Sequence, residues 1–384
     1  MKKIFFYLFL LYSLQNLSAQ TASVRGLYVD GFSSIIGNAT AEDSLLTYSS
    51  NNNFNYLTLY DLWPIHVSYD LTNVSSSSIL ADFIRKAKQI YGITQIGAPG
   101  ENFFFFNNVI NVYNQLHTDP LEKIDVYNVE FEFWNTTSVG PGDYYCVTYL
   151  QPAGFSCDTA GAFSYYKTLL HQVDSLGDAN GVMSETYVGW FNTGQGIEMG
   201  DEVDRILLHD YISNNSALYS YVNPRLQALA ARNILTTVIP IFSAEPAFMG
   251  PWISTNLPVQ AYTDLNSYLT SETGTWKQYI DLAGYQWFAY SFMPENLFTT
   301  GIEESENSNV KVFPNPARDL LTISSEKALQ GSVQLYSAMG ERVYETEAVG
   351  FPHAINLHEI PSGIYHCVLM NGSQRQVFKV IIIR

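Results

Sequence analysis

IDVYNVEFEFWN, residues 124–135, alternates strictly after its first residues. Asn128, Glu130, Glu132 and Trp134 fall on one face of a strand, and Tyr127, Val129, Phe131 and Phe133 on the other. In a closed ring of parallel strands the bulky apolar set meets the surrounding helices and the two glutamates face inward. Burying neighbouring carboxylates is costly unless they share a proton, gain partners or serve a function, and a close like-charged pair pushes one pKa up. A pair of glutamates exposed at the rim of the ring is the plainer alternative.

Seven further strand-like runs flank this one, so that the expected strands are 26–31, 56–62, 94–98, 126–134, 184–191, 205–212, 236–242 and 285–291. Between them lie helix-like stretches at 78–91, 105–116, 163–176, 218–231 and 275–282. Eight strands with intervening helices predict an α/β body, a (β/α)8 TIM barrel over residues 20–299, since that fold takes about 250 residues. An open doubly wound sheet is the competitor, but no Gly-rich phosphate loop follows the first strand. In a barrel the chemistry sits at the carboxyl ends of the strands. Of Tyr28, Tyr60, Asp61, Tyr187 and Glu245, all near strand ends, Tyr60, Asp61 and Tyr187 are the expected cleft residues.

Residues 300–309, TGIEESENSN, are acidic, polar and aperiodic, and read as a linker. From residue 310 the tail is a series of short β-type runs closed by Pro, Gly or Asn, which predicts a small all-β antiparallel sandwich over residues 310–384. At the other end, Lys2 and Lys3 precede an apolar run from Ile4 to Leu14 and a small-residue site at Ser18 and Ala19. That order reads as a signal peptide over residues 1–19, cleaved after Ala19. The apolar run is too short to cross about 30 Å of hydrocarbon, so no transmembrane helix is expected in the mature chain.

With Lys+Arg 19 against Asp+Glu 36, the formal charge of −17 argues against nucleic acid and anionic lipid as partners and leaves neutral polymers such as glycans. The seven histidines lack a close pairing of the H-E-x-x-H kind, so no metal site and no cofactor are expected. Serine hydrolase chemistry lacks its G-x-S-x-G elbow. Cys146 and Cys157 sit close in an exported chain, which leaves a bridge between them open, and Cys367 reads as a buried strand residue. The aromatics of 103–106 and those near Tyr144 read as core first and as sugar platforms second.

Two resemblances add to this reading. The tail, with FPNPARDLLTI at 313–323, Met339-Gly340-Glu341, PSGIY at 361–365 and Lys379, resembles the type A sorting domain of the type IX secretion system of Bacteroidetes. That implies passage through the periplasm and the outer membrane by the type IX machinery, to a secreted or cell-surface location. In the body, Asp125, Asn128, Glu130 and Glu132 fall in the slots of the D-x-x-D-x-D-x-E pattern of glycoside hydrolase family 18. Gln95-Ile96-Gly97-Ala98, Leu207-Leu208-His209-Asp210 and Trp287 stand where that family carries S-x-G-G, M-x-Y-D and a floor tryptophan. The resemblance implies a glycosidase acting on β-linked N-acetylglucosamine in a glycan or glycoprotein, by a retaining mechanism in which the sugar's acetamido group is the nucleophile. In it Glu132 is the general acid, Glu130 orients the acetamido group with His209 and Asp210, Trp287 stacks on the sugar, Asn128 binds substrate and Asp125 is structural. Asn128 departs from the pattern's acid and Glu130 is one methylene longer than its aspartate. The alternative is a catalytically inactive, glycan-binding or adhesive surface protein on the same barrel.

Overall fold

A computed structural model describes residues 22–295, 310–325, 330–337, 342–349, 352–371 and 374–383. The expected signal peptide and linker, and the Met339-Gly340-Glu341 turn, lie outside the described residues. The chain divides into two compact units, one ending at Leu297 and the other beginning at Phe298.

The first unit is a closed parallel barrel. Its strands are β1 (Val24–Val29), β2 (Tyr56–Leu59), β3 (Gln95–Gly100), β4 (Val126–Val129), β5 (Met183–Val188), β6 (Arg205–His209), β7 (Thr236–Ser243), β8 (Ile280–Leu282) and β9 (Gly284–Phe288). Neighbours pair in order from β1 to β7; β9 then pairs with β7 on one side and β1 on the other, closing the ring. β8 and β9 together form its eighth stave, both pairing with β7. Helices such as Ser78–Tyr91, Thr159–Asn180 and Leu218–Ala230 surround it. Ser78–Tyr91 stops where Gly92 takes a φ of 75°, a left-handed conformation that suits a residue without Cβ. Two expectations change. The stretch 275–282 is not a helix but a short 3-10 turn followed by β8, and the helix Pro258–Ser271 stands before it. The fourth strand ends at Val129, so Glu130 and Glu132 lie just beyond its carboxyl end.

Alternation sorts side chains between two environments. Leu27, Leu57, Ile96, Tyr127, Val129, Leu208, Phe242 and Trp287 join the large core shared with the helices. Tyr28, Leu207, Ile239 and Ile241 form a separate apolar cluster inside the ring. Toward the amino ends of the strands the interior is polar. Glu185, wholly buried, accepts from Arg205 Nε at 2.6 Å, from the Tyr56 hydroxyl at 2.8 Å and from Asn128 Nδ2 at 2.6 Å. Arg205 also reaches Gln95 at 3.1 Å. Gly97 faces the Tyr56 ring so closely that any Cβ there would strike its hydroxyl. Asp125 lies at the amino end of β4, where Lys88 Nζ donates to it at 2.8 Å and the Ile96 N–H at 2.8 Å, tying helix to sheet.

The second unit holds a three-stranded sheet, β10 (Val310–Phe313), β11 (Leu320–Ser325) and β14 (His353–Asn356), and a four-stranded sheet, β12 (Gln330–Ser337), β13 (Arg342–Val349), β15 (Gly363–Asn371) and β16 (Gln374–Ile382), all antiparallel. Leu321, Ile323 and Ile355 from one sheet and Leu335, Cys367 and Val380 from the other share one core. Asn315 of the PNP motif accepts from the Ile381 N–H and donates to the Lys379 carbonyl, each at 2.8 Å. This stitches the opening of the unit to its last strand.

Glu185 has one counter-charge, so removing it strands a buried anion. Arg205→Met is expected to cost about 3–5 kcal/mol of stability in urea unfolding followed by tryptophan fluorescence. Adding Glu185→Gln to that variant should recover part of the loss.

Candidate functional site

The carboxyl ends of the strands gather an acidic, aromatic-lined mouth. Glu130 still donates its N–H to Gly100 O at 2.9 Å, so its backbone continues the ladder and its side chain points up the ring interior. The Tyr28 hydroxyl donates to its Oε1 at 2.7 Å. Burial pushes the Glu130 carboxyl up to about 8, with Glu101, Glu132 and Glu185 adding to the rise and the Tyr28 bond opposing it. At neutral pH this acid therefore keeps its proton. Glu132, like Glu130, is partly exposed, and its Oε2 accepts from Asn135 Nδ2 at 3.0 Å. Phe131, between them, turns outward onto Tyr145 and Tyr165, and Phe133, after Glu132, onto Tyr166, with ring centroids 4.3, 4.9 and 4.8 Å apart.

The rest of the mouth is built from loops after the other strands. Glu101, after β3, accepts from the hydroxyls of Tyr144, Tyr145 and Tyr149 at 3.1, 3.2 and 2.8 Å. Those tyrosines bracket Cys146, which is bridged to Cys157. Tyr60, 47% exposed, lies with its ring 5.9 Å from Tyr28. Asp61 follows it with a positive φ of 67° and accepts from the Ser33 hydroxyl at 2.8 Å. Tyr187 lies between Trp134 (5.8 Å) and His209 (6.1 Å). His209 is enclosed by Trp190 and Tyr211, at 4.7 and 4.3 Å. Burial, then the nearby Arg225, push its imidazole down to about 4, so it is neutral at working pH. Glu245 follows the end of β7, and Tyr211 lies within electrostatic reach of Glu130, Glu132 and Glu245 together.

Three expected site residues are placed elsewhere. Trp287 points outward, fully buried, with its Nε1–H donating to Pro258 O at 3.1 Å and its ring stacked near Trp252. The strand alternation that puts Gln286 inside puts Trp287 outside. Asp210, next to His209, is wholly buried, with neither oxygen hydrogen-bonded. Its charged neighbour is Arg225, and burial holds its carboxyl far above the usual range. Asn128 is sealed inside the ring and its amide nitrogen is held by Glu185, so it is closed to a ligand.

Residues 311–384 match the family model described as a secretion system C-terminal sorting domain. The second unit thus has an address. Among curated proteins none matches this chain. Among solved structures it is similar to an endo-beta-1,4-mannanase of glycoside hydrolase family 26 from Cellulomonas fimi, at 13% identity, 94% of this chain, 93% of that one and a TM-score of 0.39. It is also similar to beta-glucuronidase 2 of Bacteroides uniformis (8% identity, 94% and 45% covered, TM-score 0.41) and to the YdjI aldolase of Escherichia coli K12 (8%, 68% and 73%, TM-score 0.36). Likenesses at this level carry no argument about chemistry, and the barrel stands on its own strand pairing. Among the described residues no group of His, Cys, Asp or Glu could hold a metal ion, and no helix is long and apolar enough to cross a membrane.

Glu101 and Tyr211 are mouth residues that the sequence did not single out, and Tyr28 and Glu245 were named by it as strand-end residues but not chosen for the cleft. Each sits at or just past a strand's carboxyl end, which is the one positional signal they carry.

The raised acid has a stability consequence. Between the ordinary glutamate value of 4.5 and about 8, folded Glu130 holds a proton that the unfolded chain has released. Stability therefore falls as pH rises through that window and levels off above it. Glu130→Gln is expected to flatten this part of the profile, measured as urea midpoints from pH 5 to pH 9.

Proposed function

We propose that the chain is an exported glycoside hydrolase whose barrel mouth binds a neutral glycan and cleaves it with Glu130 as proton donor. The observation that carries this reading is a carboxyl just past the end of β4, held by the Tyr28 hydroxyl at the mouth of a closed ring among further carboxylates and rings, where burial raises its pKa. A glycosidic oxygen leaves only when a proton reaches it, and a buried acid whose charged form is disfavoured supplies that proton near neutrality. Four glutamates at the mouth, Glu101, Glu130, Glu132 and Glu245, repel anionic substrates, whereas exposed rings such as Tyr60 and Trp190 offer flat apolar faces to sugars.

Glu130 takes the acid role from Glu132 because the Tyr28 hydroxyl of β1 holds its carboxyl at the end of the ring interior, where desolvation favours the protonated form. The narrower expectation of N-acetylglucosamine cleaved with help from its acetamido group loses support from Asp210, Trp287 and Asn128, which the fold turns away or seals in. Tyr60 and Tyr187 remain candidate sugar contacts, and His209 remains a neutral hydrogen-bonding group. A barrel that only binds glycans is the reading to beat, since the same rings serve both.

Reducing-sugar release from a polysaccharide panel separates the two. Wild type should release sugar, with a rate that falls as pH rises through about 8. Glu130→Gln should lose at least about a hundredfold. Tyr28→Phe removes a bond that favours the ionised form, so it should move the alkaline fall to higher pH. Binding without release in the wild type defeats the enzymatic reading.

The sorting unit is proposed to route the chain through the type IX machinery to the cell surface or medium. Deleting residues 310–384 should leave the barrel unit inside the cell envelope, read by fractionation and immunoblot.

A further inference from the structure

A second carboxyl stands beside Glu130, and the fold gives it more hydrogen bonds. β3 and β4 end side by side, with Gly100 paired to Val129 in register. Glu101 and Glu130 are the next residues of the two chains, and the Glu130 N–H donates to Gly100 O at 2.9 Å. The two glutamates therefore leave neighbouring strands at one level, where the backbones are about 4.8 Å apart. The Tyr60 hydroxyl lies within electrostatic reach of both carboxyls.

The pair is served unequally. Glu130 accepts one hydroxyl, that of Tyr28. Glu101 accepts three, from Tyr145 on Oε1 at 3.2 Å and from Tyr144 and Tyr149 on Oε2 at 3.1 and 2.8 Å. All three tyrosines belong to one short helical segment, which the Cys146–Cys157 bridge closes and which Tyr145 seats on Phe131. The Tyr145 hydroxyl also accepts from the Glu132 N–H at 3.4 Å, so Glu101 is tied to the segment that carries Glu130 and Glu132. Of two neighbouring carboxyls, the one with fewer donors is the one that holds a proton. The groups facing Glu130 come from the strand ends around it: Tyr28 of β1, Tyr60 after β2, Glu101 after β3, Glu132 on its own segment, Glu185 and Tyr187 of β5, and Tyr211 after β6. None of these is a cation. Among the carboxylates, Glu101 does most to keep Glu130 protonated, ahead of Glu132 and Glu185.

We propose that Glu101 is a positioning residue of this mouth: tethered by three tyrosines beside Glu130, it makes Glu130 the carboxyl of the pair that carries the proton. The inference rests on the reading of Glu130 as proton donor and deepens it, because a donor works only if it is loaded at working pH. It also gives the disulfide-closed tyrosine segment after β4 a task. That segment holds a negative charge next to the acid and leaves Glu130 with a single hydroxyl of its own.

The test titrates Glu130 in the full mature chain by carboxyl-carbon NMR of isotope-labelled glutamate, its signal identified by its loss in Glu130→Gln. Wild type should titrate near pH 8. Removing a neighbouring negative charge eases ionisation, so Glu101→Gln, which keeps an acceptor for the tyrosines, and Glu101→Ala, which does not, should both titrate at least about half a pH unit lower. Glu132→Gln should move the titration less. Glu101→Asp, which keeps the charge, should stay closer to wild type than Glu101→Gln, and circular dichroism should show each variant folded. With a substrate that wild type cleaves, the alkaline limb of kcat/KM should move down by the same interval. An unchanged titration in either folded neutral variant, or a larger shift in Glu132→Gln, would overturn the role of Glu101 while leaving the glycosidase reading intact. A wild type that cleaves nothing would take down the glycosidase reading, whereas the titration alone decides whether Glu101 sets the proton on Glu130.

Discussion

Two glutamates in one barrel interior meet the cost of desolvation in opposite ways, and the architecture follows from that difference. Glu185, deep in the ring, is given a full counter-charge by Arg205 and two further donors, Tyr56 and Asn128. Glu130, nearer the mouth, is given one neutral hydroxyl from Tyr28 and three carboxylates as neighbours. The first arrangement compensates a buried anion. The second leaves the anion uncompensated, so the group keeps its proton instead. The paired anion and the proton-holding acid thus share one ring interior.

The mouth above them is shaped by aromatic packing more than by backbone. Phe131 and Phe133 anchor the segment after β4 into a bed of tyrosines, and this holds Glu130 and Glu132 over the ring although regular strand pairing has ended. Tyr144, Tyr145 and Tyr149 turn their hydroxyls onto Glu101, and the Cys146–Cys157 bridge closes the loop that carries them. A disulfide across so short a loop limits how far the unfolded segment can wander, which is worth about 2–3 kcal/mol in the chain-entropy account. It also fits a chain that works outside the reducing cytosol.

The second unit is independent in its chemistry. Its core is apolar and continuous, Cys367 is a free thiol buried within it, and burial pushes that thiol up to about 12. The PNP motif at 314–316 has a local physical meaning. Asn315 carries the hydrogen bonds that dock the first strand region onto the last one, closing the sandwich across the length of the unit.

Eight strand-like runs with helix-like stretches between them predicted the ring of parallel strands, and the alternating run at 124–135 set its two glutamates on one face, because a period of two is a local property of extended chain. The tail's opening motif was likewise legible, since its turn and strand signals are written in consecutive residues. What the sequence could not decide was which neighbours each face would meet. Trp287 reads as a ligand platform until the register of β9 against β1 and β7 turns it to the helices, and Asp210 reads as a ligand group until burial seals it without a hydrogen-bond partner. Tyr28 and Glu130 are 102 positions apart. Their meeting depends on ring closure, and with it depends which carboxyl holds a proton, because a pKa is set by burial and by charges that only the folded ring brings within reach.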